Sequence, residues 1–178
     1  MEHELIFQRL WNYALRLLGR RDYSETEMRK KIERKFSLLQ KAGAFNESVD
    51  ASTPGDEPDV MLLRASLTQR ILTRLKELNL VNDEKFARNF LITRLELNQK
   101  GEYLLRMELK KNGIPREVFD AVWQKVAVPD EELAQRILKG KSRILGRLKP
   151  EKRKQKIMQL LASRGIKPSV IFELLEKV

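Results

Sequence analysis

Apolar residues recur along this chain at the spacing of amphipathic helices, and one arrangement of them occurs three times. In it, an apolar residue is followed by alanine, by two apolar residues about one turn later and by a basic residue two turns later. The copies are Tyr13-Ala14-Leu17-Leu18-Arg21, Phe86-Ala87-Phe90-Leu91-Arg94 and Leu133-Ala134-Ile137-Leu138-Lys141. Each set falls on one helical stripe. Three similar helices within 178 residues predict a tandem array, in which each unit stacks its apolar face on its neighbours.

Residues that begin and end helices divide the chain into nine predicted helices. Ser24-Glu25-Thr26-Glu27 is a capping box, and Asn82 with Asp83 is expected to cap a later helix. Gly113 suits a left-handed helix end, and Pro115 is expected in the first turn of the helix that follows. The predicted helices span about 5–20, 24–39, 60–78, 83–97, 101–111, 115–127, 130–145, 150–164 and 168–178.

These patterns predict an all-α fold, a tandem array of three three-helix repeats that is elongated and curved. The predicted repeats are residues 1–82, 83–129 and 130–178. A polar stretch at about 43–59 contains five acidic residues and no basic residue, with proline and glycine among them. Such a composition predicts a disordered acidic insert within the first repeat, with the role of a spacer.

Charge is distributed unevenly along the chain. The net charge is +11, and residues 133–178 alone contain 13 basic and 3 acidic residues. Clustered lysine and arginine attract phosphates and gain affinity by releasing the counterions of a polyanion. A solvated, solubilising face is the alternative interpretation of such a cluster. The size of the excess favours a polyanionic partner.

The residues needed for catalysis or metal binding are scarce. The chain has no cysteine and one histidine, His3, which excludes Cys/His zinc sites, disulfides and thiol nucleophiles. Gly140-Lys141-Ser142 resembles the end of a phosphate-binding loop, but Gln135 occupies the position of the required first glycine. No long apolar run or signal peptide is present. We therefore expect a cytoplasmic protein that is not an enzyme and has no metal, cofactor, small-molecule substrate or membrane partner.

Two stretches of the sequence carry a family resemblance. Residues 17–32, Leu-Leu-Gly-Arg-Arg-Asp-Tyr-Ser-Glu-Thr-Glu-Met-Arg-Lys-Lys-Ile, resemble the opening signature of the RecX family of recombinase regulators. Residues 80–94 resemble the helix entry of that family, and Lys100-Gly101 through Leu109 to Gly113-Ile114 resemble the segment after it. Together these stretches cover most of the chain outside the acidic insert.

The resemblance implies a regulator, usually inhibitory, of the bacterial RecA recombinase. Its tandem three-helix units would lie in the groove of the recombinase filament on DNA and limit ATP hydrolysis and strand exchange. A free-standing DNA-binding protein without a recombinase partner is the alternative. The expected partners are therefore the RecA filament and single-stranded or duplex DNA, bound mainly through its phosphates.

The candidate contact residues are basic. Most of the first set surrounds a helix start. Cations are unfavourable there because of the helix dipole, and a bound anion would offset that cost. The set is Arg147, Lys149, Lys152, Arg153, Lys154, Lys156, Arg164 and Lys167. The second set is Arg20, Arg21, Arg29 and Lys30. The repeated cations Arg21, Arg94 and Lys141 either complement helix C-termini or line one edge of the array towards a regularly repeating partner.

Overall fold

The computed structural model describes residues 2–43 and 58–176, and these ranges are helical without strands. Nine α-helices lie within them. They are α1 (Glu2–Leu18), α2 (Glu25–Lys41), α3 (Pro58–Glu77), α4 (Asp83–Thr93), α5 (Glu102–Lys111), α6 (Arg116–Val126), α7 (Asp130–Leu145), α8 (Pro150–Ser163) and α9 (Pro168–Glu176). A π-helical turn, Arg94–Asn98, continues α4. The predicted all-α fold is confirmed.

Consecutive helices pack on one another in three places. Helices α1, α2 and α3 pack on one another, α5 packs on α6, and α7, α8 and α9 pack on one another. The chain divides into two compact units, unit 1 (Met1–Phe86) and unit 2 (Ala87–Val178). The repeat boundaries at 82/83 and 129/130 stay a prediction. The predicted disordered insert falls almost entirely outside the described residues, as does the predicted end of the last helix.

The threefold apolar pattern supplies core residues in both units. Its alanines, Ala14, Ala87 and Ala134, are completely buried. An alanine at a helix contact lets neighbouring backbones approach closely, because it adds only a methyl group. The larger partners are more variable, since Leu91 is completely buried whereas Leu17 is only partly buried. The alanine is thus the position of the pattern that is buried equally in all three copies.

Helices α2 and α3 show where periodicity succeeds and where it fails. Met28, Ile32 and Phe36, the predicted apolar face of α2, are fully buried. The spacing of the apolar residues from Leu67 to Leu78 predicts Leu78 on the buried face of α3, but that prediction is wrong, since 55% of the residue is exposed. Helix α3 ends at Glu77, and the chain turns away through Asn79, which has φ 53°.

The helix ends follow the predicted signals with small shifts. Ser24 Oγ accepts a hydrogen bond from the Glu27 N–H at 3.1 Å, and Gly113 has φ 81°. Pro115 precedes α6 at its cap rather than lying in its first turn. The fourth predicted helix changes to π-helical geometry at Arg94 and ends before Gln99, which has φ 49°.

Asp83 caps a helix other than its own. Its Oδ1 accepts a hydrogen bond from the Glu25 N–H at 2.8 Å, at the start of α2, while Asn82 caps α4 through the Lys85 N–H at 2.9 Å. Burial raises the pKa of Asp83. A hydrogen bond from Lys76 Nζ, 2.9 Å long, lowers the pKa of Glu25. The capping prediction therefore holds for Asn82, and Asp83 instead joins the start of α4 to α2.

Candidate nucleic-acid and partner interface

The basic cluster of residues 147–156 surrounds the start of α8. Lys149 is the cap residue of this helix, and Pro150 occupies its first position. Five side chains of the cluster are exposed and form no hydrogen bond or ion pair with any other described residue: Arg147, Lys149, Lys152, Lys154 and Lys156. Their positive charges are therefore available to an external anion.

The five cations do not all share one surface. Residues three and four apart in a helix lie on the same face, which places Lys149, Lys152 and Lys156 on one side of α8. Gln159, which is also exposed, continues this stripe. Lys154 falls on the opposite side, since it is two residues from both Lys152 and Lys156. The stripe of Lys149, Lys152 and Lys156 is hereafter called the α8 stripe.

Arg153 has a structural task within the same cluster. Its Nε donates a hydrogen bond to the Leu145 carbonyl oxygen at 3.1 Å, and Nη2 donates to the Leu148 carbonyl oxygen at 3.3 Å. These carbonyls lie at and after the end of α7, where helical backbone acceptors lack intrahelical partners. The Arg153 guanidinium therefore holds the α7–α8 connection.

Arg164 and Lys167 lie at the other end of α8. The helix has 14 residues, so its two ends are about 20 Å apart. The Arg164 carbonyl oxygen accepts a hydrogen bond from the Gly101 N–H at 2.7 Å, and the Lys167 N–H donates to Asp130 Oδ2 at 2.9 Å. The structure thus separates these two residues from the α8 stripe, although both were predicted to belong to the same surface.

Two of the four basic residues predicted in unit 1 are engaged by acidic neighbours. Arg21 donates hydrogen bonds to both carboxylate oxygens of Glu27, at 3.1 and 3.2 Å, and these bonds raise the pKa of Arg21. Arg29 Nη2 lies 3.3 Å from Glu25 Oε1. The other two residues of this candidate surface, Arg20 and Lys30, are exposed and have no side-chain partner among the described residues.

The three repeated cations differ in their surroundings. Arg21 also stacks over the Tyr23 ring, with its guanidinium carbon 3.9 Å from the ring centroid. Arg94 lies 3.4 Å from Glu108 Oε2 and stacks over the Phe90 ring at 5.0 Å. Lys141 is exposed and has no side-chain partner within the described ranges. The repeated position is therefore neutralised in the first two copies and available in the third.

The C-terminal part of α7 carries cations that sequence reasoning did not select. Residues 139–144 are all exposed, although they are helical, and they include Lys139 and Arg143. Neither side chain has a hydrogen-bond or ion-pair partner in the described part of the chain. Both residues belong to the charge excess of residues 133–178, so that excess is the sequence feature from which they could have been selected.

Among the described residues, no group of histidine, cysteine, aspartate and glutamate is arranged to hold a metal ion. None of the described helices is long and apolar enough to cross a membrane. The acidic residues with shifted pKa values, Glu25, Asp83 and Asp120, are bonded to helix N–H groups or basic side chains. Their surroundings account for them as structural residues.

Family models match two segments of the chain. Residues 11–37 match the model described as RecX, first three-helix domain, and residues 82–122 match RecX, second three-helix domain. Both of these segments are therefore similar to the RecX family. The cations of α7 and α8 lie outside both matched segments, so the family match by itself assigns them no role.

Proteins named "Regulatory protein RecX" are similar to this chain along most of its length. The one from Prosthecochloris aestuarii (strain DSM 271 / SK 413) is 27% identical over 169 residues, which cover 94% of this chain and 91% of the relative. The one from Haemophilus influenzae (strain PittEE) is 27% identical over 167 residues, which cover 93% of this chain and 91% of the relative.

Solved structures of RecX proteins have the same fold. A crystal structure of regulatory protein RecX aligns with a TM-score of 0.66 at 20% identity, covering 97% of this chain and 72% of that one. The crystal structure of RecX from Lactobacillus salivarius aligns with a TM-score of 0.60 at 18% identity, covering 97% of this chain and 98% of that one.

Proposed function

We propose that this protein is a cytoplasmic regulator of the RecX family that binds the RecA recombinase filament on DNA. It inhibits ATP hydrolysis and strand exchange in recombination and DNA repair, and it catalyses no reaction of its own. The matches to two RecX family models and the name of its relatives, "Regulatory protein RecX", support the regulatory part of this proposal. RecA, DNA and the direction of regulation are the parts that experiments must test.

The observation that carries the DNA part is the α8 stripe. Lys149, Lys152 and Lys156 are exposed on one side of a helix, with no acidic partner among the described residues. Each of these ammonium groups can replace a counterion of a DNA phosphate, and the released counterions provide a favourable entropy. Gln159 and the main chain at the helix start add hydrogen-bond donors suited to phosphate oxygens.

The other predicted cations, paired and unpaired, provide further contacts or hold the structure around the α8 stripe. Arg21, Arg29 and Arg94 are oriented by carboxylates, and Arg153 holds the α7–α8 connection through two carbonyl oxygens. Arg20 and Lys30 provide contacts from unit 1, and Lys141 and Lys154 provide contacts from unit 2. Arg164 and Lys167 contact the partner from the far end of α8.

The regulatory activity is tested with purified RecA on single-stranded DNA. At low micromolar concentration, this protein is expected to lower the rate of RecA ATP hydrolysis and the yield of strand exchange. Sedimentation of the filaments with the protein, with and without DNA, measures binding directly. Unchanged ATP hydrolysis and strand exchange, with no co-sedimentation, would refute the proposal.

The role of the α8 stripe is tested with a charge-matched pair of variants. Replacing Lys149, Lys152 and Lys156 by alanine removes three exposed cations from one stripe. The control replaces Lys85, Lys110 and Lys111, which are also exposed and without a side-chain partner among the described residues. Both variants lower the net charge equally, so a difference between them reports position rather than total charge.

The stripe variant is expected to bind DNA more weakly and with a smaller dependence on salt. Each lost phosphate contact removes roughly 0.9 from the slope of log affinity against log salt concentration for duplex DNA. Three contacts therefore remove about 2.7, whereas the control slope should stay close to that of the unmodified protein. Equal slopes for both variants would show that the α8 stripe does not contact phosphates.

A free-standing DNA-binding protein is the second candidate function, because the unpaired cations favour it equally. The two candidates differ in their dependence on recombinase. A regulator of the filament binds more tightly to DNA coated with RecA than to bare DNA under the same salt conditions. Tighter binding to bare DNA, without an effect on ATP hydrolysis, would favour the second candidate.

A further inference from the structure

Two exposed aliphatic residues occupy the same position in the second and third copies of the repeat. Leu97 lies three residues after Arg94, and Ile144 lies three residues after Lys141. Leu97 is 76% exposed and Ile144 is 57% exposed. The equivalent residue of the first copy is Ser24, a buried helix cap. An exposed aliphatic residue is therefore repeated within unit 2 and absent from this position in unit 1.

The local backbone exposes each residue by extending a helix. The π-helical turn Arg94–Asn98 continues α4 and carries Leu97. Helix α7 runs on to Leu145, and all six residues from 139 to 144 are exposed. π-Helical turns are frequent at functional sites. A π-helical turn and the last turn of an α-helix thus each expose one aliphatic side chain near a helix end.

The surroundings of Ile144 indicate the chemistry of a partner. Gly140 lies one turn before it on the same face, and a Cβ at Gly140 would meet no atom within 4 Å. Lys141 lies one turn before Ile144 and Arg143 lies next to it in the helix, and neither side chain has a partner among the described residues. An apolar centre within a charged rim is the arrangement of a protein-binding hot spot. Its complement is an apolar pocket with an acidic rim.

We propose that Leu97 and Ile144 are apolar anchors that dock into equivalent pockets of a protein partner built from identical subunits. The inference rests on the proposed function, and it identifies recombinase subunits as the occupants of this surface, while the α8 stripe contacts DNA. A second copy of this chain is a poor occupant, because a symmetric contact would place the cations around Ile144 against one another.

The test replaces Leu97 and Ile144 by glutamine, singly and together, in the full chain. Phe172→Gln is the matched control, because Phe172 is 60% exposed in the same unit and does not occupy the repeated position. Affinity is measured for RecA filaments assembled on an oligo-dT strand and, separately, for the bare strand. Circular dichroism verifies that each variant is as helical as the unmodified protein.

Each single substitution is expected to weaken filament binding about tenfold, and the double substitution about a hundredfold, if the anchors act independently. Affinity for the bare strand should change less than about twofold, since neither substitution alters a charge. The Phe172→Gln variant should bind both like the unmodified protein.

The outcomes separate this inference from the proposed function. If the unmodified protein and the double variant bind filaments equally well, Leu97 and Ile144 are not anchors, while the proposed regulatory function still holds. An equal loss for Phe172→Gln, or for bare DNA, would also overturn the anchors. If the unmodified protein does not bind RecA filaments, the proposed function and its recombinase anchors fail together.

Discussion

Gly101, which precedes α5, lies in close backbone contact with the connection between α8 and α9. A Cβ at this position would lie 2.3 Å from the Gly165 carbonyl oxygen and 2.8 Å from its carbonyl carbon. The Gly101 N–H also donates a hydrogen bond to the Arg164 carbonyl oxygen at 2.7 Å. All these partners are main-chain atoms, so no side-chain rotation can relieve the contact. Gly101→Ala must therefore displace the α8–α9 connection.

The expected cost follows from that displacement. Forcing an additional methyl group into a packed contact costs about 1–3 kcal/mol, and loss of the hydrogen bond to Arg164 adds about 1 kcal/mol. Gly101 has φ −72°, which alanine adopts readily, so the cost is steric and not a matter of backbone conformation. A destabilisation of about 2–4 kcal/mol lowers Tm by roughly 4–16 °C for a chain of this size.

Thermal unfolding followed by circular dichroism and calorimetry measures this effect, with Gly140→Ala as the control. A Cβ at Gly140 meets no atom within 4 Å, and the residue lies inside α7. Alanine there should stabilise the protein by about 0.5–1 kcal/mol, because glycine is the poorer helix former. Replacing glycine by alanine is thus expected to lower the free energy of unfolding at position 101 and to raise it at position 140. A Tm for Gly101→Ala equal to or above that of the unmodified protein would refute the reasoning.

Two further predictions concern paired cations. Arg153→Met should lower the free energy of unfolding by about 1–3 kcal/mol, because two carbonyl oxygens lose their donor. The control Lys152→Met should change it by less than about 0.5 kcal/mol. Urea denaturation measures both values, and equal effects would contradict a structural role for Arg153. Lys76 is the main cause of the lowered pKa of Glu25, so this pair stabilises the fold above the ordinary glutamate pKa, and that contribution is lost as pH falls through the lowered value. Lys76→Met should therefore lower the free energy of unfolding at pH 7 by less than about 1 kcal/mol, because the lysine is half exposed. It should also reduce the decrease in that free energy between pH 7 and pH 3. An unchanged pH dependence would argue against a stabilising Lys76–Glu25 pair.

Much of the fold could be predicted from local signals. Helix α2 begins and helix α5 ends near the predicted residues, because a cap or a left-handed residue acts within a few positions of itself, as Ser24 and Gly113 do. Leu78 could not be placed by the same logic. Its position continues the apolar stripe of α3, but the helix ends one residue before it.

The candidate site was predictable as a charge excess but not as an arrangement. Sequence counts place 13 basic residues among positions 133–178, and that number by itself favours a polyanionic partner. It does not distinguish Lys152, which is exposed and without a partner among the described residues, from Arg153, which holds two carbonyl oxygens. Neighbours in sequence point to different sides of a helix, and only packing decides what each side meets.

The sequence by itself determined the helices and the basic end of the chain, because periodicity, caps and charge are local properties. Tertiary structure decided which cations remain available. Arg21 and Lys141 occupy one position of the repeated pattern, yet Arg21 is bound by Glu27 and Lys141 has no described partner. The difference arises because ion pairing depends on which neighbouring turn and helix come within hydrogen-bonding distance, and a repeated sequence pattern does not contain that distance.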